Sequence, residues 1–495
     1  MIAPNDDATL RIKAAYDAVD YQCSAYPSSH PDRLATVATL LGVNPPALAT
    51  SRVLEIGCAD GSNIIPIAAA WPDAFVVGCD LSPRPIEHAK RLADEIGLRN
   101  LTLLQTDIRA LPEELGSFDY IIAHGFYSWV PSEVRDALMA LIAARLTPNG
   151  VAYVSYNALP GSRIRQIAWD ALHFHTDRID DARGKIEAAR TLMQLLAEPQ
   201  LAQWKADGQL RAEFADLAVR HESALFHDDI STPNDAFYFH EFEAHARRHG
   251  LTFLSEAESR FMGGSGLTPA MKRMVAQCDR ITREQYLDFA RFRRFRVSLL
   301  TKAPSVSNYG FIPGRIANLQ VAAAATLIRS MAEAEQQGQP RESVLREGEP
   351  LVTRMLLWLA ELSPRTVSVA DIVAWLATQQ APNDRRPIEL LLTEVYIGGV
   401  IEFYVQPAAL TTTVSERPLA SPVARAMART QARVVNLRHE MVNLSDPFAR
   451  RLVPLLDGTR NRRTLIEALG SDYDRGEEGL DAMLRFFGKV SLLAG

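Results

Sequence analysis

The chain has 495 residues, 47% of them hydrophobic and 23% charged, which fits a folded globular protein and is too long for one core, so two or three domains are expected. A formal net charge of -6 gives no electrostatic ground for nucleic-acid binding, and the longest apolar stretches, such as Val321 to Ile328, fall far short of a membrane span. Cys23, Cys58, Cys79 and Cys278 form no Cys-x-x-Cys pair and Met1 to Asp7 is polar and acidic, so a protein without a secretory signal is expected, with buried thiols in a reducing cytoplasm.

The segment Tyr16-Asp17-Ala18-Val19-Asp20-Tyr21 comes first and reads as an N-terminal lid or an amphipathic cap. Strand Val53–Ile56 then runs into the turn Gly57–Gly61 and a helix near Asn63–Trp71. Strand Phe75–Cys79 ends on Asp80 and leads to helix Pro85–Ile96. Strands Leu101–Gln105 and Tyr120–Ala123, helix Pro131–Arg145 and strand Val151–Tyr156 complete the alternation. That rhythm predicts an α/β, Rossmann-like, doubly wound parallel sheet with right-handed crossovers. Ligands of such sheets bind beyond the carboxyl ends of the strands, where Glu55, Gly57, Asp80, Asp107, His124 and Tyr156 stand.

A glycine turn lets backbone approach a ligand, and an acid at the tip of the next strand can take both hydroxyls of a ribose. The dinucleotide fingerprint Gly-x-Gly-x-x-Gly is absent, since the turn holds only Gly57 and Gly61. Glu55 sits two residues before the first of them, and a carboxylate there repels a pyrophosphate while suiting an amine and a positive charge. S-adenosylmethionine carries both and has no phosphate. Asp107, in Gln105-Thr106-Asp107-Ile108, is placed to meet an adenine amine with Ile108 beside the ring, or to cap the helix that follows. The aromatic segment Ala123-His124-Gly125-Phe126-Tyr127-Ser128-Trp129-Val130-Pro131 follows the fourth strand, where a methyl acceptor arrives, and Tyr156-Asn157 closes the fifth.

After Tyr156 the chain is helix-rich over 165–235, read as an insertion covering the cleft, before strands at Leu251–Leu254 and Phe295–Leu300 that form the closing antiparallel pair of a seven-stranded sheet. Residues 304–340 read as a linker. Helices near 351–362, 369–378 and 388–398 with strand Val400–Val405 suggest a winged helix over 341–410, and 411–495 a small, mainly helical module that resembles the peptide-chaperone domains of pyrroloquinoline-quinone biosynthesis. His245 and His249 have a metal-binding spacing, but with no third ligand nearby in sequence they read as a solvated face, and no metal is expected. Arg291-Phe292-Arg293-Arg294-Phe295-Arg296 reads as a charged helix end running into an edge strand.

The order Val53-Leu54-Glu55-Ile56-Gly57-Cys58 with Gly61, followed by Val77-Gly78-Cys79-Asp80-Leu81-Ser82, resembles the first two cofactor motifs of class I S-adenosylmethionine-dependent methyltransferases, with Ala59 where that family usually has a glycine. Tyr16-Asp17 with Tyr21, His30-Pro31-Asp32-Arg33-Leu34, the His124–Pro131 segment and Tyr156-Asn157-Ala158-Leu159-Pro160-Gly161 occur together, as in bacterial methyltransferases with a methyltransferase regulatory domain. His227-Asp228-Asp229, Pro233 to Phe242 and Gln285 to Arg296 resemble the regulatory segment, placing the whole regulatory insertion at about 165–250 within a catalytic unit ending near 303. This group includes the protein-lysine methyltransferases that modify rickettsial outer-membrane proteins. The resemblance implies S-adenosylmethionine bound by Tyr16, Tyr21, Glu55, Gly57, Cys58, Ala59, Gly61, Asn63, Asp80, Leu81, Asp107, Ile108 and His124. It implies an acceptor served by His124, Tyr127, Trp129, Tyr156 and Asn157. The expected partner is a protein substrate, for instance a surface or outer-membrane protein before export, or a small molecule; a homodimer is a further expectation. A small-molecule N- or O-methyltransferase and a cofactor-sensing binding protein stand as alternatives.

Overall fold

The computed structural model describes residues 7–198, 208–264, 266–302, 310–345, 350–379, 385–407, 410–411 and 413–494. The chain opens with helices α1 (Asp7–Ala18) and α2 (Pro31–Leu40). Strands β1 (Arg52–Ile56), β2 (Phe75–Asp80), β3 (Leu101–Gln105), β4 (Phe118–Ala123) and β5 (Leu146–Ala158) then alternate with α3 (Ile64–Ala70), α4 (Pro83–Glu95) and α5 (Ser132–Arg145). These strands are nearly continuous apolar runs because helices cover both faces: Val53, Leu54, Ile56, Val76, Val77, Ile121, Ile122, Ala152 and Val154 are all fully buried.

Helices α6 (Ser162–Thr176), α7 (Ala182–Ala197) and α8 (Gly208–Val219), the single turn α9 (Glu222–Ala224) and a π-helical turn (Leu225–Ile230) follow. They close over a core of their own built from Leu172, Ile186, Met193, Leu217, Leu225 and Phe226. The short strand β6 (Ala236–Phe237), α10 (Phe239–Arg248), β7 (Thr252–Glu256), α11 (Pro269–Ala276), α12 (Arg280–Arg291) and β8 (Phe295–Thr301) return the chain to the sheet. The strand order is β3-β2-β1-β4-β5-β8-β7, with β6 pairing alongside β5. The pairs β2–β3, β1–β2, β1–β4 and β4–β5 are parallel, and β5–β8 and β7–β8 antiparallel. The seven expected strands are therefore present, with the expected antiparallel pair after the fifth, and the two-residue β6 is an addition too short to leave a period in the sequence.

Two expectations are corrected. β8 is not an edge strand: it lies between β5 and β7. Its Arg296 is fully buried, with Nε 2.9 Å from Glu256 Oε1 and Nη2 2.5 Å from Glu284 Oε2. Arg293 pairs with Glu256 and Arg294 with Glu213, so the basic run closes ion pairs inside the fold. The segment 304–340 is not a linker where it is described. Ile312 N donates to Leu40 O, and Gln320–Ala323 forms β9, the middle strand of a second sheet ordered β10 (Val367–Ser368), β9, β11 (Ile401–Tyr404). Four residues with two alanines give too short a run for a period-2 signal, and only their burial between two partners makes them a strand.

Helices α13 (Ala325–Gln336), α14 (Pro350–Leu362), α15 (Val369–Thr378) and α16 (Arg385–Ile397) pack around that sheet. The C-terminal unit contains α17 (Pro422–Thr430), the hairpin β12 (Arg433–Val435) and β13 (Met441–Asn443), α18 (Pro447–Leu452), α19 (Arg462–Leu469) and α20 (Gly476–Lys489). The first of these units docks on α2, and the C-terminal unit packs through α17 against α3 and α4. Asp32 accepts from Val405 N at 2.7 Å and Gln406 N at 3.2 Å, and Arg33 donates to the Tyr404 hydroxyl at 2.9 Å.

Candidate active site

β1 ends in a turn whose backbone only small residues tolerate. Gly57 has φ 72° and Gly61 φ 78°, and Ala59 between them is held at φ 44°. The turn stacks on the end of β2, with Gly57 N and Cys58 N both donating to Cys79 O. Glu55 lies just before it, buried, with Oε1 accepting from Asn63 Nδ2 at 2.7 Å. Its Oε2 is buried and meets no hydrogen-bond partner. Burial, with Asp60 and Asp80 nearby, pushes the Glu55 carboxyl up to about 8.

At the tip of β2, Asp80 accepts from Ala59 N at 3.0 Å and from Ser82 N at 2.9 Å, one bond on each oxygen. A carboxylate oxygen has two lone pairs, so both still have capacity for a ligand hydroxyl. After β3, Asp107 accepts from Arg109 N at 2.8 Å and from the Arg109 guanidinium at 2.7 Å, which makes it the cap of the short 3-10 turn Ile108–Ala110 as well as part of the cavity wall.

A cavity of about 500 Å³ opens over these strand ends. Glu55, Gly57, Cys58, Ala59, Asn63, Asp80, Leu81, Asp107, Ile108, His124, Trp129 and Asn157 all line it, as do Tyr16 and Tyr21. Gly61 does not: it shapes the turn from behind, where an added Cβ would meet Ile65 and Ala89. Tyr16 and Tyr21 form a roof tied to the π-helical turn. The Tyr16 ring stacks on His227 at 4.5 Å, and the Tyr21 hydroxyl donates to Asp228 Oδ1 at 3.5 Å.

His124 is half-buried, stacked 3.5 Å from the Tyr26 ring, with Nδ1 2.9 Å from the Tyr153 hydroxyl. Burial pushes its pKa down to about 3, so the imidazole is neutral and a weak base. The Trp129 indole N–H is buried without a partner. Asn157 donates from its side chain to Asn234 at 2.8 Å.

Tyr127 and Tyr156 are corrections. Neither lines the cavity. The Tyr127 hydroxyl lies 2.7 Å from His245 Nδ1, the Tyr156 ring stacks on Phe242 at 4.2 Å, and the Tyr156 hydroxyl lies 3.2 Å from Ser298. Alternation explains Tyr156, because neighbouring strand residues face opposite sides of a sheet and Asn157 takes the cavity side.

Comparisons with known proteins accord with this geometry. A methyltransferase-domain model matches residues 53–150, and a predicted methyltransferase regulatory domain matches 221–302. A domain described as PKMT, C-terminal winged helix, matches 416–482, within the stretch expected to be a helical module and outside 341–410. Uncharacterized protein RP028 of Rickettsia prowazekii (strain Madrid E) is 32% identical over 243 residues, 49% of this chain and 97% of that relative. Protein RP789 of the same organism is 29% identical over 96% of this chain and 88% of its own length. The structure of PKMT2 from Rickettsia typhi in complex with AdoHcy superposes with a TM-score of 0.82 at 24% identity, covering 96% of this chain and 100% of that one.

The chain belongs to the class I S-adenosylmethionine-dependent methyltransferases and carries a C-terminal domain matched as a PKMT winged helix. Several cavity residues of this methyltransferase left no sequence signal of their own. Asp228 was legible as part of the regulatory segment, yet only the fold brings it to the Tyr21 roof, where burial lifts its carboxyl to about 6. Trp169 and Arg165 arrive from the helical insertion, both holding Asp229. His439 reaches across from the C-terminal unit to place Nε2 2.7 Å from Asn63 Oδ1. An isolated histidine some 376 positions from its partner carries no pattern to find.

Proposed function

We propose that this methyltransferase N-methylates lysine side chains of a protein substrate. The observation that carries the reading is the aromatic lining of the cavity, a roof of Tyr16 and Tyr21 with Trp129 in the wall, beside Asp228, whose carboxylate is shared with Arg220. Aromatic faces and a carboxylate attract an ammonium and hold it as it sheds its proton. The kinship with rickettsial protein-lysine methyltransferases supports the same acceptor.

The residues present fit the cofactor. The unpartnered Glu55 Oε2 suits its amino group, the Gly57–Ala59 backbone its ribose edge, the spare lone pairs of Asp80 the ribose hydroxyls, and Asp107 with Ile108 the adenine. When bound, the group supplies a methyl on a sulfonium, an already activated donor.

The protein's remaining task concerns the acceptor. A lysine amine has a pKa near 10.4, so delivering it neutral at pH 7 costs about 4.6 kcal/mol. Desolvation among Tyr16, Tyr21 and Trp129 lowers that pKa, and alignment lowers much of the remaining barrier. His124 is not the base, because its nitrogen is engaged by Tyr153 and its basicity is suppressed.

Incubation of the protein with methyl-labelled cofactor and bacterial lysate tests the reading. Label in protein bands that hydrolyse to methyl-lysine is expected. Label confined to small molecules would replace lysine with a metabolite acceptor.

A further inference from the structure

His245 lies on α10 and His249, one turn on, caps its C-terminus, and the fold brings Asp136 to them from α5. Asp136 Oδ1 lies 3.2 Å from His245 Nε2 and 2.9 Å from His249 Nε2. The three ligand atoms all lie within 4.8 Å of one another. This corrects the expectation that the histidine pair lacks a third ligand. The carboxylate comes from 109 positions earlier, so proximity in sequence could not reveal it.

Four-coordinate zinc, bonded at about 2.0–2.1 Å, keeps its ligand atoms roughly 3.3 Å apart. The present spacings need only small side-chain movements to reach that value. Metal-ligating histidines characteristically have their second ring nitrogen fixed by an outer partner, and His245 has one: the buried Tyr127 hydroxyl, 2.7 Å from Nδ1. The cluster is also accessible, with the Asp136 side chain 62% exposed, so an ion can enter and keep water as its remaining ligand.

We propose that Asp136, His245 and His249 bind a divalent cation of the zinc class, with Tyr127 as the outer partner that orients His245. Two imidazoles and one carboxylate suit zinc and its neighbours better than magnesium or calcium, which favour oxygen ligands. An ion on Nε2 leaves the ring proton of His245 on Nδ1, facing the Tyr127 hydroxyl. The Tyr127 hydroxyl then accepts from it. The ion clips α5, in the methyltransferase-domain match, to α10, in the regulatory-domain match.

The test is calorimetric titration of chelator-treated full-length protein with zinc chloride, repeated with cobalt(II) for its visible ligand-field bands. One zinc per chain is expected, weakened at least about tenfold in Tyr127→Phe and further in His249→Ala and Asp136→Asn. Zinc should raise the melting temperature of the parent protein and not of His249→Ala. Asp136 is exposed and His249 half-buried at a helix end, so their variants should fold, and zinc-free melting curves test it. Equal zinc affinity in parent and His249→Ala, or no zinc uptake by the folded parent, would overturn the proposal.

Discussion

Asn63 donates a 2.7 Å hydrogen bond to Oε1 of Glu55, leaving Oε2 as the unengaged oxygen of a buried carboxylate that faces the cavity. Glu55→Gln preserves size and the Asn63 contact while removing the ability to ionise against the cofactor's ammonium. Hydrogen bonds to charged groups contribute about 1.5–3 kcal/mol, so cofactor affinity measured by calorimetry should fall roughly 10- to 100-fold.

The same substitution should stabilise the cofactor-free protein. A carboxyl raised to about 8 in the folded state binds a proton more tightly there than in the unfolded chain. Its favourable contribution is complete below the unfolded value near 4.5 and is lost as pH rises through 8. The melting-temperature advantage of Glu55→Gln over the parent should therefore widen from pH 5 to pH 9. A constant difference across that range would contradict the burial argument.

Ala59 holds a left-handed backbone that a glycine adopts freely. Ala59→Gly should raise unfolding free energy by up to about 1 kcal/mol in urea titration, offset in part by the greater freedom of glycine in the unfolded chain.

Trp129 lines the cavity with an unpartnered indole N–H, whereas Tyr156 is sealed against Phe242 and Ser298. Trp129→Ala should cut methyl transfer at least about tenfold with little change in cofactor affinity. Tyr156→Phe should cost about 1 kcal/mol of stability and leave turnover intact.

His439 joins the C-terminal unit to the cofactor turn through Asn63, which in turn holds Glu55. His439→Ala leaves the Asn63 carbonyl short of one donor, although Tyr26 N still reaches it at 2.9 Å. A loss of about 1–3 kcal/mol in stability should accompany weaker cofactor binding, although His439 lies outside the cavity. Unchanged affinity would separate the C-terminal unit from the site.

Arg296 is enclosed with Glu256, Glu284 and Asp288. Arg296→Met strands these acids and should destabilise by about 3–5 kcal/mol. The unfolding midpoint in denaturant measures it.

The amino-acid sequence by itself determined the sheet, because strands buried on both faces write continuous apolar runs such as Val53–Ile56 and Phe75–Cys79. It also determined the chemistry at the strand ends, where Glu55, the glycine turn and Asp80 are close in sequence and in space. Tertiary structure alone decided the rest: that Tyr127 and Tyr156 turn away from the cavity, that Asp228 and His439 reach the site and its support, and that Asp136 meets His245 and His249. Local patterns record backbone periodicity and short-range turns, whereas contacts hundreds of residues apart arise from packing, which imprints no period on the chain.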